Sequence, residues 1–361
     1  MKVIVVGDLH FGMKGFNDKF FDNQLRFFNE QVFPYMRENN INEIIQLGDW
    51  LDNRKNMDIK FFNRIVNEFL ETLKENGFKF TTFLGNHDIY FNSKLDVNLV
   101  KHFETLYPEN VKVYSNRTKV KYGDMKYMFV PWVTDKGVRL SELRTVDVLF
   151  GHFEIKNFEM VKGHKDEKSS LSTDYFKKAP SLKRVVSGHY HVQGNDGFVM
   201  YAGTPYQLNW GDYQTSRGFF VFEGSDYEFI ENVSSAKYIK IKYDCNSESI
   251  IEISGLEDEP LFFENVRQIK NSGIDLTKHK VKFFINDSKD KEYESVIFLL
   301  HEMGVEMDII NNVEISDLIG TDYVGEIDNV GGTELILRSA KDNKPHLVPL
   351  LNEIIQEIQL D

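Results

Sequence analysis

The chain has 361 residues, of which 41% are hydrophobic and 27% charged, as in ordinary globular proteins, and this length is sufficient for two domains. No apolar run approaches the roughly 20 residues that cross a bilayer. We expect no export signal, because the first residues, MKVIVV, have the pattern of a strand. Cys245 is the single cysteine, which excludes an internal disulfide and favours a reducing cytoplasm.

The net charge of -13 is unevenly distributed. Residues 1–235 contain 30 Lys and Arg against 31 Asp and Glu, whereas residues 236–361 contain 13 against 25. A phosphate-bearing substrate is therefore compatible with the first part, where bound divalent ions would neutralise further acidic groups. The acidity of the second part suits a basic protein surface better than DNA.

Strands alternate with helices in the first part of the chain and then dominate. Apolar residues at helical spacing predict helices over 20–36 and 57–75. The Lys-, Gly- and Ser-rich stretch 162–170 predicts a mobile loop. Runs of β-branched and aromatic residues predict strands over 3–6, 43–47, 80–84, 119–130, 146–150, 184–187, 197–201 and 218–230.

The composition changes near Ser234, where we predict a domain boundary. Beyond it, residues 238–243 have the pattern of a strand. Residues 280–285, 292–302 and 306–310 have the patterns of a strand, a helix and a strand. The sequence therefore predicts a small α+β unit after the boundary.

Five short motifs place Asp, His and Asn directly after predicted strands. Because the carboxyl ends of neighbouring strands meet at one edge of an open α/β sheet, we expect these side chains to lie together. A single Asp-X-His or Gly-His is usually a turn or a hydrogen-bonded core group, but five of the ten histidines fall in these motifs, and an uncompensated buried polar cluster is costly. The motifs are Gly7-Asp8-Leu9-His10, Gly48-Asp49-Trp50-Leu51-Asp52, Gly85-Asn86-His87-Asp88, Gly151-His152 and Gly188-His189-Tyr190-His191.

These residue types indicate a site for two divalent metal ions. Two ions roughly 3.5–4 Å apart can hydrolyse phosphoesters, since one activates a water and both stabilise charge on the attacking and leaving oxygens. Asp49 is the natural bridging carboxylate. The mixed nitrogen and oxygen ligands suit Mn²⁺, Fe²⁺ or Zn²⁺ and contain too much nitrogen for a dedicated Ca²⁺ site.

The motifs resemble the pattern of the calcineurin-like metallophosphoesterase superfamily: D-x-H, G-D, G-N-H-D/E, H and G-H-x-H. The segments VGDLHFG, QLGDWLDNRK, FLGNHD, FGHFE and SGHYHV, with YAGTP at 201–205, are similar to those of SbcD-type nuclease subunits of the double-strand-break repair complex, especially the subunits of T-even-type phages. The resemblance implies an α/β (α+β) fold. It would comprise a four-layer αββα sandwich, a small α+β capping domain and a C-terminal partner-binding helix.

The resemblance also implies a role for each motif residue. His87 would face the substrate, orient the phosphate and protonate the leaving oxygen, a role suited to the near-neutral pKa of imidazole. Asp88 would fix the orientation of an imidazole. Two Mn²⁺ ions, or Mg²⁺ or other divalent ions, would be bound by Asp8, His10, Asp49 and His191 at the first position and by Asp49, Asn86, His152 and His189 at the second.

One position departs from many relatives. Many archaeal and eukaryotic members have a histidine three positions after the Asp of the G-D segment, where this chain has Asp52, so a second catalytic histidine is not assumed there. Arg54 and Lys55 are candidate phosphate contacts. A solvated helix start explains these two cations equally well.

The resemblance assigns residues 1–235 to the nuclease domain, 236–312 to a DNA-selecting capping domain, and 313–361 to an acidic linker and an ATPase-binding helix. The stretch 317–332 is acidic and interrupted by glycines. Apolar residues at helical spacing predict an amphipathic helix over 346–360, which could bind a partner or pack on its own domain.

The resemblance implies a Mn²⁺-dependent DNA nuclease: a 3′-to-5′ exonuclease on duplex ends and an endonuclease on single strands. Its partners would be DNA and an SMC-like coiled-coil ATPase of the SbcC type, with a homodimer inside a heterotetramer. It would act in DNA replication, recombination and repair, in the cytoplasm, which is the host cytoplasm if the chain is phage-encoded. Phe61, Ile65 and Phe69 could serve the dimer interface or the core.

Two other functions are compatible with these ligands. A phosphatase or cyclic-nucleotide phosphodiesterase uses the same set, but the long C-terminal extension and the likeness of the second and third motifs favour the nuclease. A non-catalytic scaffold would typically have lost ligands, and every expected ligand is present.

Overall fold

The computed structural model describes residues 2–91, 94–132, 138–243, 251–285 and 292–311. The chain divides into two compact units. Unit 1 comprises residues 1–208 and 215–236, and unit 2 comprises residues 209–214 together with the chain from residue 237 onward. Several sheets and short helices confirm the predicted mixed α/β class. Among the described helices, none is long and apolar enough to cross a membrane.

The strands are short, as expected for β-branched and aromatic runs interrupted by turns. In chain order they are β1 Lys2–Val6, β2 Glu43–Gln46, β3 Lys79–Phe83, β4 Ile89–Phe91, β5 Lys94–Asn98, β6 Val111–Tyr114, β7 Thr118–Tyr122, β8 Met125–Val130, β9 Val148–His152, β10 Glu159–Val161, β11 His164–Lys165, β12 Arg184–Gly188, β13 Gly194–Asn195, β14 Val199–Tyr201, β15 Gly218–Glu223, β16 Asp226–Glu231, β17 Tyr238–Tyr243, β18 Ile251–Ser254, β19 Leu261–Phe263, β20 Lys280–Ile285 and β21 Met307–Asn311.

The two long predicted helices are each interrupted by one π-helical segment, Phe27–Val32 and Ile65–Leu70. Asn17 and Asp58 cap the helices that begin these two runs, since their side chains accept from the backbone N–H three residues on. The α-helices are α1 Met13–Phe16, α2 Asp18–Arg26, α3 Phe33–Glu38, α4 Ile59–Arg64, α5 Glu71–Glu75, α6 Val100–Leu106, α7 Leu140–Leu143, α8 Thr173–Phe176, α9 Val266–Asn271 and α10 Glu292–Glu302, with a 3₁₀ turn at Trp210–Asp212.

Unit 1 contains two six-stranded sheets. The first has the order β16-β15-β1-β2-β3-β6, with β1, β2, β3 and β6 parallel, and the second has the order β13-β14-β12-β9-β8-β7, with β8, β9, β12 and β14 parallel. Alternate side chains of both sheets, such as Val5 and Phe150, meet in one core between them.

Helices cover the outer faces of these two sheets. Phe21 and Phe69 belong to the core on the first sheet, and Leu143 and Phe176 to the core on the second. The result is the predicted four-layer order of helices, sheet, sheet and helices. Phe61, Ile65 and Phe69 are buried in the first of these cores.

Three predicted segments differ from the structure. Residues 119–130 and 218–230, predicted as single strands, each form a hairpin, β7–β8 and β15–β16. Within the predicted mobile loop 162–170, β11 pairs with β10, and Asp166 accepts hydrogen bonds from the backbone N–H groups of Lys168 and Ser169 and from Tyr190 Oη. Hydrogen bonds to the buried Asp166 carboxylate therefore hold part of a stretch that the composition predicts to be mobile.

Unit 2 contains a five-stranded sheet of order β19-β18-β17-β20-β21, in which β17, β20 and β21 are parallel. Buried aliphatic and aromatic side chains, including Ile241, Phe283 and Leu300, form its own core with α9 and α10. The predicted helix over 346–360 and the acidic stretch 317–332 lie outside the described residues.

Candidate metal centre

The five motifs lie at the carboxyl ends of five strands of unit 1. The first three follow β1, β2 and β3, which are parallel neighbours in the first sheet. His152 ends β9, and His189 and His191 follow β12, which is parallel to β9 in the second sheet. Parallel pairing therefore gathers side chains as distant in the sequence as Asp8 and His191.

Three candidate ligands sit in strained backbone conformations. The φ angles of His10, Asp49 and His189 are +48°, +53° and +90°. Such angles cost a non-glycine residue of order 1–3 kcal/mol and persist where surrounding contacts enforce them. The backbone N–H groups of Leu9 and His10 both donate to Asp49 O at 3.0 Å, which locks the first two motif loops together.

Glycine is required where the motif loops approach one another. A Cβ atom at Gly85 would overlap the backbone nitrogen and the carboxylate of Asp49. One at Gly188 would overlap Leu47 O and the carboxylate of Asp8. Larger residues at these two positions would push the loops apart and separate the ligands.

Asp8, His10 and His191 form a first group of ligand atoms, all within 4.8 Å of one another. The Nε2 atoms of His10 and His191 face each other at 3.0 Å. Two imidazole nitrogens with their lone pairs directed at one position fit a shared cation, which neutral imidazole binds through such a lone pair.

Asp49, His152 and His189 form a second group of the same kind. Asn86 Oδ1 lies 3.0 Å from His152 Nε2 and 2.9 Å from His189 Nδ1, so an amide oxygen points at two potential acceptor nitrogens. Reversing the amide would also satisfy these contacts, and its oxygen would then accept from Arg54 Nη2 at 3.0 Å. A cation placed between Asn86 Oδ1 and the two imidazole nitrogens would satisfy all three atoms without reversing the amide.

Asp49 belongs to the second group and is linked to the first through His10. It also lies in a third group, with His10 and His87, and its Oδ1 accepts from the backbone N–H of His87 at 2.7 Å. A carboxylate common to overlapping groups is in the position that a bridging ligand needs. The donor set of carboxylates, imidazoles and one amide fits a pair of borderline divalent ions.

Hydrogen bonds outside the ligand groups orient the imidazoles. His152 Nδ1 lies 2.8 Å from Leu47 O, and His87 Nδ1 lies 2.7 Å from Asp52 O. Donation from these nitrogens would leave Nε2 of each ring for the site. The Asp52 carboxylate lies 3.1 Å from His10 Nδ1, in the arrangement by which a carboxylate orients a metal-binding histidine.

Burial and mutual charge shift the pKa values of these groups. Burial raises the pKa of Asp8 to about 7. Burial also opposes ionisation of Asp49, but the neighbouring His152, His87 and His10 together outweigh it and hold the Asp49 pKa well below its usual range. Burial lowers the pKa of His152, yet Asp49 and Asp8 raise it to about 9 overall. Of these carboxyl groups, Asp49 is therefore the one held negative beside positive charge, a charge that divalent ions can supply.

Asp88, which the resemblance predicts to orient an imidazole, accepts hydrogen bonds from two backbone N–H groups. Its Oδ1 accepts from Leu51 N at 3.0 Å and its Oδ2 from Gly85 N at 2.8 Å. Both oxygens therefore tie the third motif loop to the second through backbone N–H groups. Burial raises the pKa of this carboxyl to about 6.

The two candidate phosphate contacts differ. The Arg54 guanidinium lies beside Asn86, whereas Lys55 is exposed and its backbone N–H donates to Asn53 Oδ1 at 3.0 Å. Both precede the helix that Asp58 caps, so neither lies in a helix start. Arg54 is thus the one of the pair that the structure brings to the ligands.

Three residues near the site were not identified from the sequence. Trp132 packs on the His189 ring at 4.9 Å, and Glu154 Oε1 lies 3.3 Å from His189 Nε2. Buried Arg217 donates to His191 O and to Thr204 Oγ1. Glu154 follows His152 by two residues, a spacing that could have indicated it, but Trp132 and Arg217 reach the site through tertiary packing.

Comparison with known proteins places these observations in a family. The model of the calcineurin-like phosphoesterase family matches residues 1–193. The chain is 33% identical over 238 residues to exonuclease subunit 1 of Enterobacteria phage T4, covering 64% of this chain and 68% of that protein. It is 26% identical over 254 residues to the putative phosphoesterase 078R of Invertebrate iridescent virus 3, covering 67% and 69%.

Among solved structures, GAP50, the anchor in the inner membrane complex of Plasmodium, shares 12% identity and a TM-score of 0.36, covering 73% of this chain and 88% of that one. That likeness is too low to carry an argument. The family match spans more than half of the chain and includes all five motifs. The chain therefore belongs to the calcineurin-like phosphoesterase family and is a metal-dependent phosphoesterase.

Proposed function

We propose that this protein is a Mn²⁺-dependent DNA nuclease, with 3′-to-5′ exonuclease activity on duplex ends and endonuclease activity on single strands. The carrying observation is that Asp49 of the second ligand group and His10 of the first lie together in a third group. The similarity to a phage exonuclease subunit directs the substrate assignment to DNA. It would act in DNA end processing during replication, recombination and repair, in the cytoplasm of the cell that contains it.

In this proposal, Asp8, His10, Asp49 and His191 bind the first ion, and Asp49, Asn86, His152 and His189 bind the second. Two divalent ions supply an activated water and stabilise charge on the reacting oxygens. His87, held through Nδ1 by Asp52 O, directs Nε2 at the phosphate and gives a proton to the leaving oxygen. Arg54 contacts a phosphate oxygen from beside Asn86.

A substrate panel tests this function. The purified full chain with Mn²⁺ is offered end-labelled duplex DNA, single-stranded circles, a chromogenic phosphomonoester and cyclic AMP. We expect release of mononucleotides from duplex 3′ ends and cleavage of the circles, both abolished by a chelator. Preferential hydrolysis of the phosphomonoester or of cyclic AMP over both DNA forms would instead assign the site to a phosphatase or a cyclic-nucleotide phosphodiesterase.

For the rest of the chain, we propose that residues 236–312 form a DNA-selecting cap and that residues 313–361 contain the segment that binds an SMC-like ATPase. The support is the separate core of unit 2 and the acidic charge of the tail. The active assembly would be a homodimer within a heterotetramer. Deletion of residues 340–361 should abolish co-purification with the ATPase while metal-dependent hydrolysis by the truncated protein remains measurable. Retained co-purification would contradict this assignment.

A further inference from the structure

A small hairpin directly follows the Gly85-Asn86-His87-Asp88 motif. It consists of β4 and β5, which form a two-stranded sheet of their own. Ile89 at its base is fully buried in the core between the first sheet and its helices, and Leu95 packs against the same core. Asp88 holds the root of the hairpin to the second motif loop through its bond to Leu51 N. The hairpin is therefore fixed at its base, beside the metal centre.

Two aromatic rings project outward from this hairpin. Tyr90 is 41% exposed and Phe91 is 46% exposed. In a regular strand, successive side chains point to opposite faces, so Phe91 would turn inward as Ile89 does. The pairing register shifts between Ile89 and Phe91, and such a bulge breaks the alternation, so both rings lie on the outside.

The two exposed rings contact each other edge to face, and we call the pair the aromatic platform (Tyr90 and Phe91). Their ring centroids are 4.7 Å apart with an interplanar angle of 70°. Lys94 Nζ lies 5.6 Å from the Phe91 ring centroid, so a cation borders the platform. The exposed parts of these rings gain no burial energy from folding, whereas a ligand with a flat π-face would bury them.

The platform is close to the reacting group. Tyr90 lies three positions after His87 in the chain, which limits their Cα–Cα distance to about 11 Å. Stacked nucleotides in one strand are spaced by about 3.4 Å, so the platform is within roughly three nucleotides of a phosphate at His87. Aromatic rings beside a cation, next to a phosphodiester site, are the elements by which proteins bind single strands.

We propose that Tyr90 and Phe91 stack against unpaired bases of the DNA strand whose phosphate is at the metal centre, with Lys94 beside the backbone of that strand. This proposal rests on the proposed nuclease function and specifies which DNA form the site prefers. Stacking is tolerant of base identity, since every base has a π-face, so the platform would select single-stranded character and not sequence.

The test compares the full-length wild type with Y90A/F91A, with the aromatic-preserving Y90F/F91Y, and with the control F262A, an exposed phenylalanine in β19 of unit 2. Three quantities are measured for each: kcat/KM on single-stranded DNA, hydrolysis of bis(p-nitrophenyl) phosphate, and quenching of 2-aminopurine in a single strand bound without turnover. Sedimentation at the assay concentration reports the oligomeric state.

We expect Y90A/F91A to lose at least about tenfold in kcat/KM on single strands and to lose the quenching, with hydrolysis of the small diester within about twofold of wild type. Y90F/F91Y and F262A should behave as wild type. Unchanged quenching in Y90A/F91A, or equal losses on DNA and on the small diester, would overturn the platform. A change of oligomeric state in Y90A/F91A that accounts for the loss would also overturn the platform, since the two rings would then contact a second copy of the chain.

The proposed nuclease function fails in a different way. A wild-type protein that quenches 2-aminopurine and hydrolyses the small diester, but cleaves no DNA, would contradict the nuclease and retain the platform. A wild-type protein that cleaves single strands without platform-dependent quenching would contradict the platform and retain the nuclease.

Discussion

Histidines in the two units show how a candidate metal site differs from a hydrogen-bonded position in a core. In unit 2, the buried His279 uses Nδ1 to accept a hydrogen bond from Lys237 N at 2.9 Å. In unit 1, the Nε2 atoms of His10 and His191 face one another at 3.0 Å, beside the buried carboxylate of Asp8. The fold itself supplies a hydrogen-bond partner for the Nδ1 atom of His279. The facing Nε2 atoms of His10 and His191 are best satisfied by a cation.

The backbone shows the same contrast. Both units are built on parallel strands with aliphatic cores, and among the described residues the candidate ligand groups fall in unit 1 alone. His10, Asp49 and His189 have positive φ angles within those groups. Parallel architecture therefore does not make a site by itself. The chemistry comes from strained turns that direct polar atoms at one another.

The largest expected effect comes from removing the shared carboxylate. Asp49→Asn keeps an acceptor for the His87 N–H but removes the charge common to the ligand groups. We expect a loss of at least about 10⁴-fold in kcat on bis(p-nitrophenyl) phosphate, since metal-assisted charge stabilisation is worth several kcal/mol. Asp308→Asn, an exposed position in unit 2, is the matched control. Comparable activity in both variants would remove the distinction between the units.

His87→Ala should separate catalysis from metal binding. We expect a loss of about 10²- to 10⁴-fold in kcat, the range for a general acid, with metal content unchanged. The measurements are kcat for cleavage of single-stranded DNA at saturating Mn²⁺ and the amount of metal that stays bound after dialysis. Loss of both ions with the fold intact would show that His87 is a ligand.

Asp52→Ala should act through His10. Since the Asp52 carboxylate lies 3.1 Å from His10 Nδ1, its removal should raise the Mn²⁺ concentration for half-maximal activity by about 10- to 100-fold. The backbone carbonyl that contacts His87 remains in this variant. An unchanged Mn²⁺ midpoint with reduced kcat would assign Asp52 to the substrate side of the site.

The smallest effect on hydrolysis is expected from the core of unit 2. Ile241→Ala opens a cavity in a fully buried position and should cost about 2–5 kcal/mol of the unfolding free energy of that unit, measured by urea denaturation. At temperatures where the protein is folded, hydrolysis of the small diester should stay within about twofold. Ile309→Ala, at an exposed position, should change neither quantity. A parallel loss of hydrolysis in Ile241→Ala would mean that the units act as one.

The sequence was sufficient to predict those parts of the site that depend on the local pattern of strands and turns. The runs before Asp8, Asp49, Asn86 and His189 predict strands, and parallel strands bring their carboxyl ends together, so the gathering of these residues could be predicted. For Asp88, the resemblance predicts an imidazole partner but does not indicate that the tight loop directs its carboxylate at backbone N–H groups. Trp132 and the bulge after Ile89 depend on tertiary packing and register, which leave no periodic signal.

The most direct test of the central claim is the number of metal ions bound per chain. The full-length protein is dialysed against Mn²⁺, and bound metal is measured by mass spectrometry for the wild type, Asp49→Asn and the exposed-histidine control His301→Ala. The two-ion site predicts two Mn²⁺ per chain in the wild type and in the control, and a loss of bound metal in Asp49→Asn. A wild type that binds one ion or none at saturating Mn²⁺, or an Asp49→Asn variant that keeps both, would contradict it.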